Sequence, residues 1–105
     1  MATIPAFYRN NGKKHGLVIE PEDNVAVVTE DVRKGDLVSC ALGDGEWEIT
    51  AVEDIPVYHK IARTSFAEGD RIIKYGQIIG AAVTEIKEGA HVHCHNVKSL
   101  SRRDP

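Results

Sequence analysis

Three segments of this chain repeat one local pattern. Val32-Arg33-Lys34-Gly35-Asp36-Leu37-Val38, Phe66-Ala67-Glu68-Gly69-Asp70-Arg71-Ile72 and Ile86-Lys87-Glu88-Gly89-Ala90-His91-Val92 each run from an apolar residue through two mostly polar ones to glycine. A new strand begins two places later. Glycine in the fourth place suits a backbone position needing positive φ, and the flanking apolar residues anchor the turn to a core. The copies stand 34 and 20 residues apart, which excludes the fixed period of a solenoid. They point instead to one turn type reused within a compact, folded-over sheet.

The stretches between glycines read as strands. Val25–Val28, Leu37–Leu42, Trp47–Val52, Arg71–Tyr75, Gln77–Val83 and Ala90–His95 are short and rich in Val and Ile, which favours β structure. Gly43-Asp44-Gly45 is a hairpin turn by composition. A single short helix is expected over Tyr58–Phe66, with Pro56 just before its start. Residues 1–16 read as a polar, flexible lead-in that carries His15, and 99–105 as a frayed polar tail. A mostly β single domain is left over residues 17–98, and 105 residues are close to the usual size of one domain, ~100–150.

Composition narrows the function classes. A hydrophobic share of 42% is too high for a disordered chain, and no apolar run is long enough to span a bilayer. A net charge of −3 offers no footprint for a polyanion, so nucleic acid is not expected as a partner. The start of the chain lacks a basic stretch followed by an apolar core, so secretion is not expected. Cys40 and Cys94 form no CxxC pair, which fits a reducing, cytoplasmic setting better than a disulfide framework. Cys94 is expected as a core or interface thiol, and Trp47 as a packing anchor.

The histidines carry the chemistry. Three of the five fall in His91-Val92-His93-Cys94-His95-Asn96, where strand alternation would put His91, His93 and His95 on one face. Neighbours on such a face lie about 6.6 Å apart, close enough for two imidazoles to meet on one Zn²⁺, Fe²⁺ or Mn²⁺. The same side chains serve equally as proton carriers near neutral pH, and an exposed polar strand edge would look no different. His59-Lys60 forms a second basic pair that can hold a carboxylate, or stand as two solvated side chains. Asp23 and Asp54 are the best-placed acids, with turn or cap duty as the plainer reading of both. No nucleophile elbow, P-loop, dinucleotide fingerprint or zincin motif is present.

Four strings, in order along the chain, resemble one family. They are Glu22-Asp23-Asn24-Val25-Ala26-Val27-Val28, Glu53-Asp54-Ile55-Pro56-Val57-Tyr58-His59-Lys60-Ile61-Ala62, Ile73-Lys74-Tyr75-Gly76-Gln77-Ile78-Ile79-Gly80 and His93-Cys94-His95-Asn96-Val97-Lys98. The second is similar to an IPxGHKIA string and the last to HxHNVK, both of the altronate/galactarate dehydratase family. The resemblance covers residues 17–98 and corresponds to that family's SAF domain, a compact β-clip. Tyr58 stands where the family string has glycine, a departure from which a different pocket rim and substrate size are expected.

The resemblance implies a lyase component. Family members dehydrate sugar acids such as altronate or galactarate, typically with a divalent metal, often iron. Related two-subunit enzymes release sulfite from sulfolactate. The chain is therefore expected to be the separate small subunit beside a large catalytic lyase subunit, and an oligomer is compatible with this. The resemblance carries over His59, His93 and His95 as catalytic residues, Lys60 and Asn96 as substrate-binding residues, and His93 and His95 as metal ligands. Two readings from other classes stay open: a non-catalytic module that binds a sugar acid or metal, and a structural subunit that only closes a larger active site.

Overall fold

Branched apolar residues recur here in runs too short for helices, and each run finds its partner across a turn. The computed structural model describes residues 13–42 and 45–99. The strands are β1 (Lys13–Leu17), β2 (Val25–Val28), β3 (Leu37–Leu42), β4 (Gly45–Thr50), β5 (Lys60–Ala62), β6 (Arg71–Lys74), β7 (Gln77–Ala82), β8 (His91–Val92) and β9 (Val97–Ser99). Six form one sheet in the order β4-β3-β1-β2-β5-β8, and three form a second in the order β6-β7-β9. Within these sheets β1 runs parallel to β3, with Lys13 opposite Leu37, and every other pairing is antiparallel.

The period of two along a strand sorts side chains into two cores. Ala26 and Val28 join Val38, Ile49, Ile55 and Ile61 in the first. Val25 and Ala62 join Phe66, Ile72, Ile86 and Val92 in the second. β2 and β5 thus form a wall shared by both. Ile55, Ile61 and Ile72 are fully buried, each worth roughly 1.5–3 kcal/mol against exposure.

The repeated glycine turn is one structure used four times. Gly35 N–H donates to Ala51 O and Asp36 N–H to Arg33 O; Gly69 N–H donates to Ala82 O and Asp70 N–H to Ala67 O; Gly89 N–H donates to Ala62 O and Ala90 N–H to Lys87 O. The glycines have φ of 94°, 94° and 89°. This is the conformation the third residue of a type II turn requires. The fourth copy is Pro56-Val57-Tyr58-His59, where Tyr58 N–H donates to Val28 O and His59 N–H to Pro56 O, with Tyr58 at φ 69°. Backbone bridges couple the turns in two pairs, Val32 with Ile55 and Phe66 with Ile86.

At Gly35 nothing lies within 4 Å of where a Cβ would sit, so only the backbone conformation demands glycine. Gly35→Ala should therefore cost about 1–2 kcal/mol in urea unfolding, the penalty of a side chain in left-handed space. A neutral or stabilising result, as expected for alanine at an ordinary φ, would contradict this account of the turn. At Gly89 an added Cβ would also clash with Thr50 O, so space and φ both require glycine there.

Two expectations change. No helix occurs among the described residues, and the stretch expected as a helix over Tyr58–Phe66 holds the fourth turn's end, β5 and the Phe66 bridge. β5 pairs on one side with β2, Val25 opposite Ala62, and on the other with β8, Ile61 opposite His91. Hydrogen bonding along both edges of this short strand overrides its local preference. The polar lead-in ends earlier than residue 16, because Lys13–Leu17 is a strand inserted between β2 and β3. His15 lies on it, its Nδ1 3.2 Å from Glu30 Oε2 at the surface.

Residues 1–12 and 100–105, and Gly43-Asp44 of the expected hairpin turn, lie outside the described residues. Among the described residues no helix is long and apolar enough to cross a membrane.

Candidate functional site

β5, which follows the fourth turn, pairs antiparallel with β8, which follows the third, with Lys60 opposite Val92 and Ile61 opposite His91. This pairing brings His59, at the end of the fourth turn, to His91 at the start of β8. His59 Nδ1 and His91 Nε2 are 2.8 Å apart, a hydrogen bond in which one ring donates and the other accepts. His93, just beyond β8, stacks on His59 with ring centroids 3.9 Å apart and planes 15° apart. One ligand atom from each of His59, His91 and His93 lies within 4.8 Å of the others.

A tight turn keeps His93 there. The side chain of Asn96 is buried and both its ends are engaged: Oδ1 accepts from His93 N–H at 2.9 Å, and Nδ2 donates to His91 O at 2.8 Å. Asn96, expected to bind substrate, has both ends of its side chain hydrogen-bonded to the backbone of the histidine loop. His91 N–H is fixed by Glu53 Oε2 at 2.8 Å.

The expected pairing of His93 with His95 on a strand does not form. β8 ends at Val92, so alternation stops and the next residues turn. His95 is exposed and touches the cluster through His91 alone, with centroids 5.1 Å apart and planes tilted by 39°. The third member of the compact group is His91, so among the described residues His59, His91 and His93, rather than the expected His93 and His95, are the histidines whose ligand atoms lie close enough to share an ion. The signal that could have paired His59 with His91 was the turn repeat itself, hidden because Tyr58 occupies the glycine position of the fourth copy.

Electrostatics favour the neutral form of His91 and His93. Burial lowers the His91 pKa, and repulsion from His59, His95 and His93 adds to this against an opposing pull from Glu53. His93 is lowered by desolvation and then by His59, Lys60 and His95. Neutral imidazoles are the form that binds metal or accepts a proton. Three nitrogen donors suit Zn²⁺ or Fe²⁺, so the donor set fits a divalent ion. The rings are nearly parallel, and ligands on one tetrahedral ion sit about 3.4 Å apart at ~2.05 Å bond lengths, so binding asks them to fan slightly apart.

Lys60 opens β5 next to this group and is half-buried. Burial lowers its pKa, Lys74 lowers it further, and Cys94 opposes. It lines a groove of about 240 Å³ with Ile79, His93, Cys94, Val97 and Ser99. Cys94 is thus exposed on the groove rather than in a core; the buried thiol is Cys40, whose pKa burial raises. Trp47 is exposed too, with the Arg63 guanidinium 4.2 Å above its ring. Asp23 and Asp54 do turn duty: Asp54 Oδ1 accepts from Lys34 N–H at 2.8 Å, and Asp23 accepts several backbone amides.

Residues 14–100 match the family model described as the altronate/galactarate dehydratase SAF domain. An altronate dehydratase of Escherichia coli (strain K12) is 42% identical over 77 residues, 73% of this chain and 15% of that protein. The chain thus spans less than one-sixth of that relative's length. Similarity to (2R)-sulfolactate sulfo-lyase subunit alpha covers far more of each relative. The protein from Paracoccus pantotrophus is 41% identical over 53% of this chain and 84% of its own length. The one from Chromohalobacter salexigens is 36% identical over 79% and 92%.

Proposed function

Because this chain belongs to the altronate/galactarate dehydratase SAF-domain family, we propose that it is the small subunit of a two-component hydroxy-acid lyase acting in the cytoplasm. The reading is a sugar-acid dehydratase of the altronate or galactarate type, with a large catalytic subunit completing the site. The observation that carries it is the close cluster of His59, His91 and His93 beside the groove lined by Lys60. Lys60 would hold the substrate carboxylate as a point charge, and a cluster imidazole would take or return the proton on the neighbouring carbon. A divalent ion on the three imidazoles, iron in the family reading, would stabilise negative charge on substrate oxygens. Asn96 keeps His91 and His93 in place through their backbone.

A specific observation favours a second reading, sulfolactate sulfo-lyase: the similarity spans 92% of one such alpha subunit. Both reactions begin on a 2-hydroxy acid and differ in the group expelled.

The test is to capture the chain from its native cytosol, identify the large chain bound in fixed ratio, and assay the rebuilt pair. Turnover of altronate or galactarate that neither chain shows alone is the expected result. Sulfite release from sulfolactate would move the assignment to the second reading. A chain that stays alone at every salt concentration would overturn both and leave a self-contained binding module.

A further inference from the structure

Four turns in this fold share one hydrogen-bond scheme, and three of them place glycine at the position of positive φ. The fourth places Tyr58 there, at φ 69°. A branchless but bulky aromatic is costly in that conformation, and strain of this kind gathers at ligand clamps and active sites. The side chain returns nothing to this chain's own packing, since Tyr58 is 73% exposed, more than any other large hydrophobic residue described. Its place is particular. It directly precedes His59 of the histidine cluster and stands two residues before Lys60.

We propose that Tyr58 is a specificity-determining contact of this site, giving its ring and phenol to the organic acid held by Lys60. The inference rests on the hydroxy-acid lyase reading above. A phenol can donate a hydrogen bond to a hydroxyl or carboxylate oxygen of the acid, while the ring covers its carbon chain. Glycine at this position would leave the same turn and an open rim.

The substitution that removes the side chain also relieves the backbone, so misfolding does not confuse the test. In the assembled two-chain enzyme, Tyr58→Gly should raise Tm by about 2–5 °C. It should raise KM for the acid about tenfold while kcat moves far less, as expected for lost binding contacts. Tyr58→Phe keeps the ring and should lie between the two. Unchanged KM in Tyr58→Gly overturns the proposal. So does weaker association of the two chains with KM unchanged at saturating large chain, which would assign Tyr58 to the subunit interface. If the parent enzyme turns over no hydroxy acid, the lyase reading fails and takes this contact with it. That failure is distinguishable, because parent and variant are then equally inactive.

Discussion

His91→Ala should lower turnover of the assembled enzyme by about 10²–10⁴-fold, the usual worth of a positioned acid or base. The same change at His95 should stay within a few-fold. His91 is where the cluster converges. Its Nε2 shares a hydrogen bond with His59 Nδ1, its backbone N–H is held by Glu53, and its carbonyl accepts from Asn96. Removing the ring leaves His59 Nδ1 without its partner and breaks the group of three nitrogen donors. His95 supplies only a tilted ring 5.1 Å from His91. Calorimetric titration with Zn²⁺ or Fe²⁺ gives a second readout, with weaker binding in His91→Ala and near-parental binding in His95→Ala. The reverse ranking would restore His93 and His95 as the working pair.

That ranking differs from the one the sequence suggests, for a physical reason. Alternation along a strand relates His91, His93 and His95 only while the strand lasts, and β8 lasts two residues. What ends it is Asn96, whose amide takes the backbone of His91 and His93 into a turn. A side chain competing with the ladder for backbone partners is a local event with no periodicity to betray it. The His59–His91 contact depends on β5 pairing with β8 across about thirty residues, which composition does not report.

The strands themselves were more legible. Val25–Val28 and Leu37–Leu42 match their expected limits, and β6 and β7 fall within theirs, because branched apolar runs bounded by glycine have few other ways to be buried. β1, β5 and β9 leave no such mark in the sequence. Lys13–Leu17 is mostly polar or half-exposed and forms a strand because β2 and β3 offer it edges on both sides. Lys60–Ala62 is too short to show a period. Gly35, Gly69 and Gly89 announced their turns by residue type, whereas Tyr58 concealed an equal one. The exception to the turn rule sits next to the histidine cluster, where local conflict with the backbone is most informative.

Asp23→Ala should lower unfolding stability by about 2–4 kcal/mol at pH 7, since backbone donors lose a charged acceptor and depend on water instead. The buried carboxylate accepts from Ile19 N–H at 3.3 Å, Glu20 N–H at 3.1 Å and Gly76 N–H at 2.8 Å. It thereby ties the link between β1 and β2 to the β6–β7 hairpin, joining the two sheets. That hairpin has positive φ at both Tyr75 and Gly76, which orients their amides toward the carboxylate. Burial alone would raise the Asp23 pKa, but the amides of Gly76, Glu20, Tyr75 and Ile19 outweigh it and hold the group below the ordinary carboxylate range. A folded pKa below the unfolded one stabilises the protein fully above the unfolded value, near 3.9, and the benefit is lost as pH falls through the folded value. Urea midpoints for the parent and Asp23→Asn should therefore be well separated at pH 7 and converge in strong acid. Every other carboxylate is common to both proteins, so the difference between them isolates Asp23. Parallel curves at every pH would mean that the charge on Asp23 does not hold the two sheets together.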